Sequence, residues 1–210
     1  MIIYDCEIEK AILGKFEMPA EGIAYCEGWR DFQGMGISCI GAYDYQEARY
    51  RVFCKDNFAE FQRLVDGTDL VIGFNNLAFD NRLCEANGIT VPDEKSYDLL
   101  VEIWKGAGLE PLFEYPTHAG FGLDAICKAN FGCEKSGHGA LAPVQWQQGE
   151  IGVVIDYCLN DVRLTRMLFE RVFIDENIRD PRDSSLVIQV AYPPNSTPVP
   201  KEATPIDVLE

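Results

Sequence analysis

The chain has little of what marks a membrane protein, a zinc protein or a nucleic-acid coat. No apolar run approaches the ~20 residues that a bilayer-crossing helix needs, although 47% of the 210 residues are hydrophobic. No Cys-x-x-Cys pair occurs: Cys6, Cys26, Cys39, Cys54, Cys84, Cys127, Cys133 and Cys158 stand singly. A zinc site needs clustered ligands, and a core of this size needs no disulfide staples. The cysteines therefore read as small reduced core hydrophobes, and the expected compartment is cytoplasmic. The N-terminus turns acidic within five residues, unlike a secretory signal. Basic side chains are scarce as well, 18 Lys and Arg against 34 Asp and Glu, for a net charge of −16. A broad basic surface that neutralises phosphates along a duplex is excluded. A site whose carboxylates hold divalent cations is not, because bound cations supply the local positive charge.

What is present reads as strands followed by helices. Residues 1–8 are apolar and β-branched, and 23–29, 36–43 and 49–53 follow at hairpin-like spacing with glycines between them. Residues 56–65 switch to helical period, with Phe58, Phe61, Leu64 and Val65 on one face and Asp56 or Asn57 as the N-cap. Residues 69–74 form a short, continuously apolar run, as a buried strand does. Helices are expected over 78–87, 98–105, 123–130, 149–160 and 162–174. The order predicts one α/β domain with a mixed sheet over residues 1–175. Beyond it lie an edge strand at 186–190 and a tail in which 192–205 holds five of the eleven prolines, an extended strap rather than a second domain.

Carboxylates gather in three places. Asp5 and Glu7 lie two apart on the first strand and so point to one face, with Cys6 turned into the core. Such a pair repels unless a cation or an exposed edge relieves it. Asp80 follows Asn75, Asn76 and Phe79 directly after the apolar strand, near a helix N-terminus where the helix dipole favours an acid. Tyr157 and Asp161 lie four apart, on one face if the segment is helical; Asp161 equally suits the cap of a helix starting at Val162. Together the three places suit two-metal phosphodiester hydrolysis, in which carboxylates hold two ions ~3.5–4 Å apart. Hard oxygen ligands select Mg²⁺ or Mn²⁺ over zinc, and a tyrosine hydroxyl suits the orienting of a water.

Asp5-x-Glu7, Asn75/Asn76-x-Phe79-Asp80 and Tyr157-x-x-x-Asp161 resemble the three motifs of the DEDD exonuclease superfamily in its tyrosine subgroup (DEDDy). The likeness, to stand-alone relatives of the proofreading exonuclease domain of family B DNA polymerases, runs from Met1 to about Phe173. It implies a ribonuclease-H-like fold and 3′→5′ exonuclease activity with two Mg²⁺ or Mn²⁺ ions. The partner it implies is nucleic acid with a free, single-stranded 3′ end. By the same resemblance Asp5 bridges both metals, Glu7 and Asp161 complete the first site, and Asp80 holds the second through water. Tyr157 positions the nucleophile, Asn75 or Asn76 supports the strand end, and Phe79 packs beneath the site. Lys135 and His138, in a Gly-rich loop before the third motif, are candidates for phosphate contact and read equally as solvated loop residues. Asp98 reads as a helix N-cap or a further acid near the site, and Asp124 has the same ambiguity.

Two rival readings follow. A silent ribonuclease-H-like binding module has no need of all four carboxylates and the tyrosine. A metal-dependent phosphatase or trimming enzyme for very short oligonucleotides fits the acidic charge. DNA and RNA are not distinguished, since the contacts to the 2′ position cannot be placed from sequence.

Overall fold

Alternation along the first strand organises the fold. The computed structural model describes residues 1–133 and 139–193. In chain order the elements are β1 (Ile2–Ile8), β2 (Ala11–Ile12), β3 (Tyr25–Cys26), α1 (Phe32–Met35), β4 (Ile37–Asp44), β5 (Arg49–Phe53), α2 (Phe58–Asp66), β6 (Val71–Gly73) and α3 (Asp80–Ala86). A 3₁₀ turn (Asp93–Lys95) leads to β7 (Ser96–Asp98), α4 (Leu99–Gly106), α5 (Leu123–Phe131), α6 (Ala142–Gln147), α7 (Ile151–Asp175), β8 (Asn177–Arg179) and β9 (Val187–Gln189). The main sheet has the order β5-β4-β1-β6-β7. Its β5–β4 and β4–β1 pairs are antiparallel, and its β1–β6 and β6–β7 pairs parallel. This is the mixed, helix-flanked α/β sheet of ribonuclease-H-like kind that the sequence leads one to expect.

Both faces of β1 are buried, each against its own layer. Ile2, Tyr4 and Cys6 pack with Phe61 and Val65 of α2 and with Leu83 and Cys84 of α3. Ile3 points the other way, into a cluster with Leu99 and Ile103 of α4, Ile126 of α5, and Val162, Leu164 and Phe169 of α7. Asp5 and Glu7 continue the Ile3 face, so period-two alternation alone delivers them beneath the α7 layer. Among the described residues no helix is long and apolar enough to cross a membrane.

Several elements differ from the sequence expectation. The helices expected over 149–160 and 162–174 are one helix of 25 residues, α7. Val154, Tyr157, Cys158, Asp161, Val162 and Thr165 are all buried, a stripe at i, i+3, i+4 that runs through Asp161 without a break. Packing on β4 and β1 overrides the low helix propensity of Asn160 and Asp161, so Asp161 lies mid-helix rather than capping one. The strand expected at 23–29 shrinks to Tyr25–Cys26, paired with Ala11–Ile12 outside the main sheet; Gly22 and Gly28 hold positive φ on either side of it. The strand at 186–190 does not border the main sheet. Val187–Gln189 pairs with Asn177–Arg179 instead, and this hairpin adds Ile178 and Ile188 to the α7-side core.

Candidate active site

β1 sets two acids side by side. One carboxylate oxygen each of Asp5 and Glu7 and the Cys158 sulfur of α7 all lie within 4.8 Å of one another. Glu7 is buried and Asp5 partly so. The β1–β4 pairing slips between Glu7 and Ile8, a bulge at the strand end, where such irregularities commonly re-aim side chains. The Cys158 thiol donates to the Asp5 carbonyl at 3.5 Å and to Asp5 Oδ2 at 3.8 Å. Hydrogen bonding with Cys39, burial and the nearby Asp5 and Glu7 charges all raise the Cys158 pKa well above the usual thiol value. Cys158 therefore serves as an S–H donor beside hard oxygen ligands rather than as a thiolate.

α7 approaches this closely because β4 carries a glycine at the crossing. Gly41 pairs with Asp5, and a Cβ on Gly41 would meet Cys158 Sγ at 3.0 Å and Val162 Cγ2 at 3.2 Å. Asp161 lies one turn beyond Cys158, buried. It lines, with Asp5, a cavity of about 1000 Å³.

Asp80 sits on the other edge of β1. The β1–β6 pairing covers Ile2 and Ile3 only, and the Cys6 N–H beyond it donates to Asp80 Oδ1 at 3.0 Å. Burial pushes the Asp80 carboxyl up to about 7 against the lowering effect of that bond. An acid so nearly neutralised by its surroundings suits a nearby cation, which would restore its charge.

The two asparagines separate in space. Asn75 takes a left-handed backbone, φ +67, which Asn tolerates better than most residues, and it lines the Asp5–Asp161 cavity. Asn76 is fully buried and donates to Asn81 Oδ1 at 3.2 Å, the atom that also accepts from the Tyr4 hydroxyl at 2.5 Å. Phe79 lines both this cavity and a second one of about 650 Å³, which Glu7 and Lys15 also line. Tyr157 is buried among Cys39, Ala142 and Val154. Its hydroxyl would lie 3.1 Å from a Cβ built on Gly139, and Gly139 borders the Glu7 cavity. Lys135 and His138 lie outside the described residues.

Asp98 is the N-cap that the sequence offered as one of its two readings. Asp98 caps α4 through the N–H groups of Leu100 and Val101 and also accepts from the N–H of Asn75 at 2.9 Å and of Leu77 at 3.1 Å. It thereby holds the loop between β6 and α3 in place. Burial raises its pKa against those four bonds. Trp104 of α4, a helix the sequence did predict, walls the larger cavity together with Trp29, Arg30, Phe113, His118 and Phe121, which come from irregular segments.

The fold is similar to part of a family B DNA polymerase. The structure of the family B DNA polymerase from the hyperthermophilic archaeon Pyrobaculum calidifontis matches with a TM-score of 0.55 and 16% identity, over 81% of this chain and 24% of that one. This chain thus spans about a quarter of the polymerase's length, and at that identity the likeness speaks for the fold alone. No protein-family model matches the sequence, and no curated relative does.

Proposed function

We propose that the chain is a metal-dependent 3′→5′ exonuclease that releases nucleoside 5′-monophosphates from a nucleic-acid end. The observation that carries the reading is the placing of Asp5 beside Glu7 on one strand, with Asp5 and Asp161 of the overlying helix lining one cavity and Glu7 the adjoining one. The fold likeness to a DNA polymerase structure lends nucleic acid as the substrate class.

The donor set fits hard divalent cations. Oxygen ligands crowd together, the neighbouring sulfur is held protonated, and Asp80 is buried with its charge suppressed. Asp5, Glu7, Asp80 and Asp161 would hold two Mg²⁺ or Mn²⁺ ions, which when bound neutralise the phosphate and make a water acidic enough to attack at neutral pH. Asp5, which lies beside Glu7 and lines one cavity with Asp161, would help to hold both ions. The Tyr157 hydroxyl orients the attacking water, and Asn75 and Phe79 border the space for the strand end. Hydrolysis breaks the terminal P–O3′ bond, leaving the phosphate on the released nucleotide and a new 3′-hydroxyl on the strand. Single-stranded or frayed ends are preferred, because unstacking paired bases costs a few kcal/mol and a charge of −16 offers little to offset it.

The test is a set of 5′-labelled single- and double-stranded DNA and RNA oligonucleotides with Mg²⁺, Mn²⁺ or excess EDTA. A ladder shortening from the 3′ end in either metal and abolished by EDTA is expected. Undiminished cleavage in EDTA, or none in either metal, contradicts the reading.

A further inference from the structure

Eight of the eighteen residues that line the Asp5–Asp161 cavity carry rings. Trp29 and Phe113 line it while remaining 70% and 64% exposed. Each is backed by further aromatics. Phe79 lies behind Trp29, with centroids 6.3 Å apart, and Phe32 lies behind Phe79 at 5.8 Å. Trp104 and His118 lie behind Phe113 at 6.2 and 5.8 Å. The Phe113 loop is pinned from within. His118 Nε2 donates to the Glu110 carbonyl at 2.8 Å, and its Nδ1 accepts from the Glu114 N–H at 3.0 Å. The Phe113 loop is therefore held before a ligand arrives, which limits the entropy lost when a planar ligand docks on that ring.

Cationic side chains are few among the described residues of the same surface. Among the described residues lining this cavity Arg30 is the one Lys or Arg, and in the adjoining cavity it is Lys15, beside Glu7 and Glu17. Apart from bound divalent ions, a phosphate chain therefore meets few counter-charges among the described residues, whereas a planar base finds two platforms. The volume of about 1000 Å³ is at the upper end of small-molecule pockets and admits more than one nucleotide.

We infer that this site grips a single-stranded end by stacking its bases on Trp29 and Phe113, and not by neutralising its phosphates. The naming of the ligand rests on the exonuclease reading; the mode of grip rests on the two rings and the scarcity of cationic side chains among the described residues. A duplex end offers no free base faces, and an end stripped of its bases offers nothing to hold. With one or two phosphates neutralised, and a slope of about 0.7 per phosphate for single strands, raising salt from about 50 to 200 mM weakens binding about three- to sevenfold. A groove making many phosphate contacts loses about a thousandfold or more over the same range.

The experiment follows quenching of intrinsic tryptophan fluorescence by a short oligothymidylate, in EDTA and again in Ca²⁺, across that salt range. Melting temperatures are recorded for every variant. Wild type should bind with the shallow slope. Trp29→Ala and Phe113→Ala, followed by fluorescence anisotropy of a labelled oligonucleotide, should each bind about tenfold more weakly at unchanged melting temperature, and Trp29→Phe should bind nearly as wild type. An oligonucleotide abasic at its last two positions should lose at least as much as either variant. Binding by both Ala variants at wild-type strength, a slope of many phosphates, equal binding of the abasic end, or no binding in either buffer would overturn the inference. Metal-dependent nucleotide release with base-indifferent, salt-steep binding removes the stacking grip and leaves the exonuclease. Base-dependent binding without release in any metal does the reverse.

Discussion

Gly41 faces Asp5 directly across the β1–β4 ladder, and the space its missing side chain leaves is filled by Cys158 of α7. Gly41→Ala would set a Cβ 3.0 Å from that sulfur and 3.4 Å from Leu159 Cδ2. Overpacking of this kind costs about 1–3 kcal/mol, and it pushes away the helix that carries Tyr157 and Asp161. The variant is expected to melt lower and turn over more slowly, and Cys158→Ala in the same chain should restore part of both losses. A Gly41→Ala protein with wild-type melting temperature and rate would mean that the helix is not seated by this contact.

Asp5→Ala is expected to abolish metal-dependent nucleotide release by orders of magnitude. In EDTA its melting temperature should equal or exceed that of wild type, since the neighbouring Glu7 charge is no longer opposed at close range. Added Mn²⁺ should raise the melting temperature of wild type more than that of the variant. An active Asp5→Ala enzyme would remove Asp5 from the site.

The Asp80 carboxyl, pushed up to about 7 by burial, ties stability to pH in the metal-free protein. Its folded pKa lies above the unfolded value near 4, so between these two values the folded state binds the extra proton. Stability accordingly falls as pH rises through that window and levels off above it, by at most about 4 kcal/mol. Melting curves in EDTA from pH 5 to 8 should show the decline, and Asp80→Asn, which carries no charge to bury, should flatten it. Saturating Mg²⁺ or Mn²⁺ should flatten it as well. A slope unchanged in Asp80→Asn would assign the effect to another group.

Tyr157→Phe keeps the ring packed against Ala142 and Val154 and removes only the hydroxyl. Expected is a fall in kcat of roughly 10–10³-fold, by analogy with other positioned polar groups, at nearly constant melting temperature and metal affinity. A kcat within about twofold of wild type would leave Tyr157 a packing residue.

Where the sequence was legible, strict periodicity had a packed face to serve. Asp5, Cys6 and Glu7 follow the pleat, and the face each side chain takes could be read from alternation alone. The opposite case is Asn160–Asp161, two poor helix formers that read as a break between helices. The stripe that keeps α7 continuous is set by β4 and Gly41, more than a hundred residues earlier. Asp98 was legible as a cap because its two capping contacts lie within three residues. Its bonds to Asn75 and Leu77 bridge 23 and 21 residues and left no local trace. Ser96–Asp98 went unread because three residues are too few to show a period. Trp29, Arg30 and Phe113 belong to irregular loops, in which side-chain direction is decided by the fold and not by spacing.

The contact between Cys158 and Asp5 closes a loop of 153 residues. Closures of that span are slow and come late relative to local hairpins such as β4–β5. During synthesis from the N-terminus, a chain can form its first sheet pairs and hold Asp5, Glu7 and Asp80 well before α7 exists to bring Asp161 and Tyr157. The acids nearest the N-terminus thus wait on the last long helix, and nascent or truncated chains with a sheet but no α7 are expected to release no nucleotides.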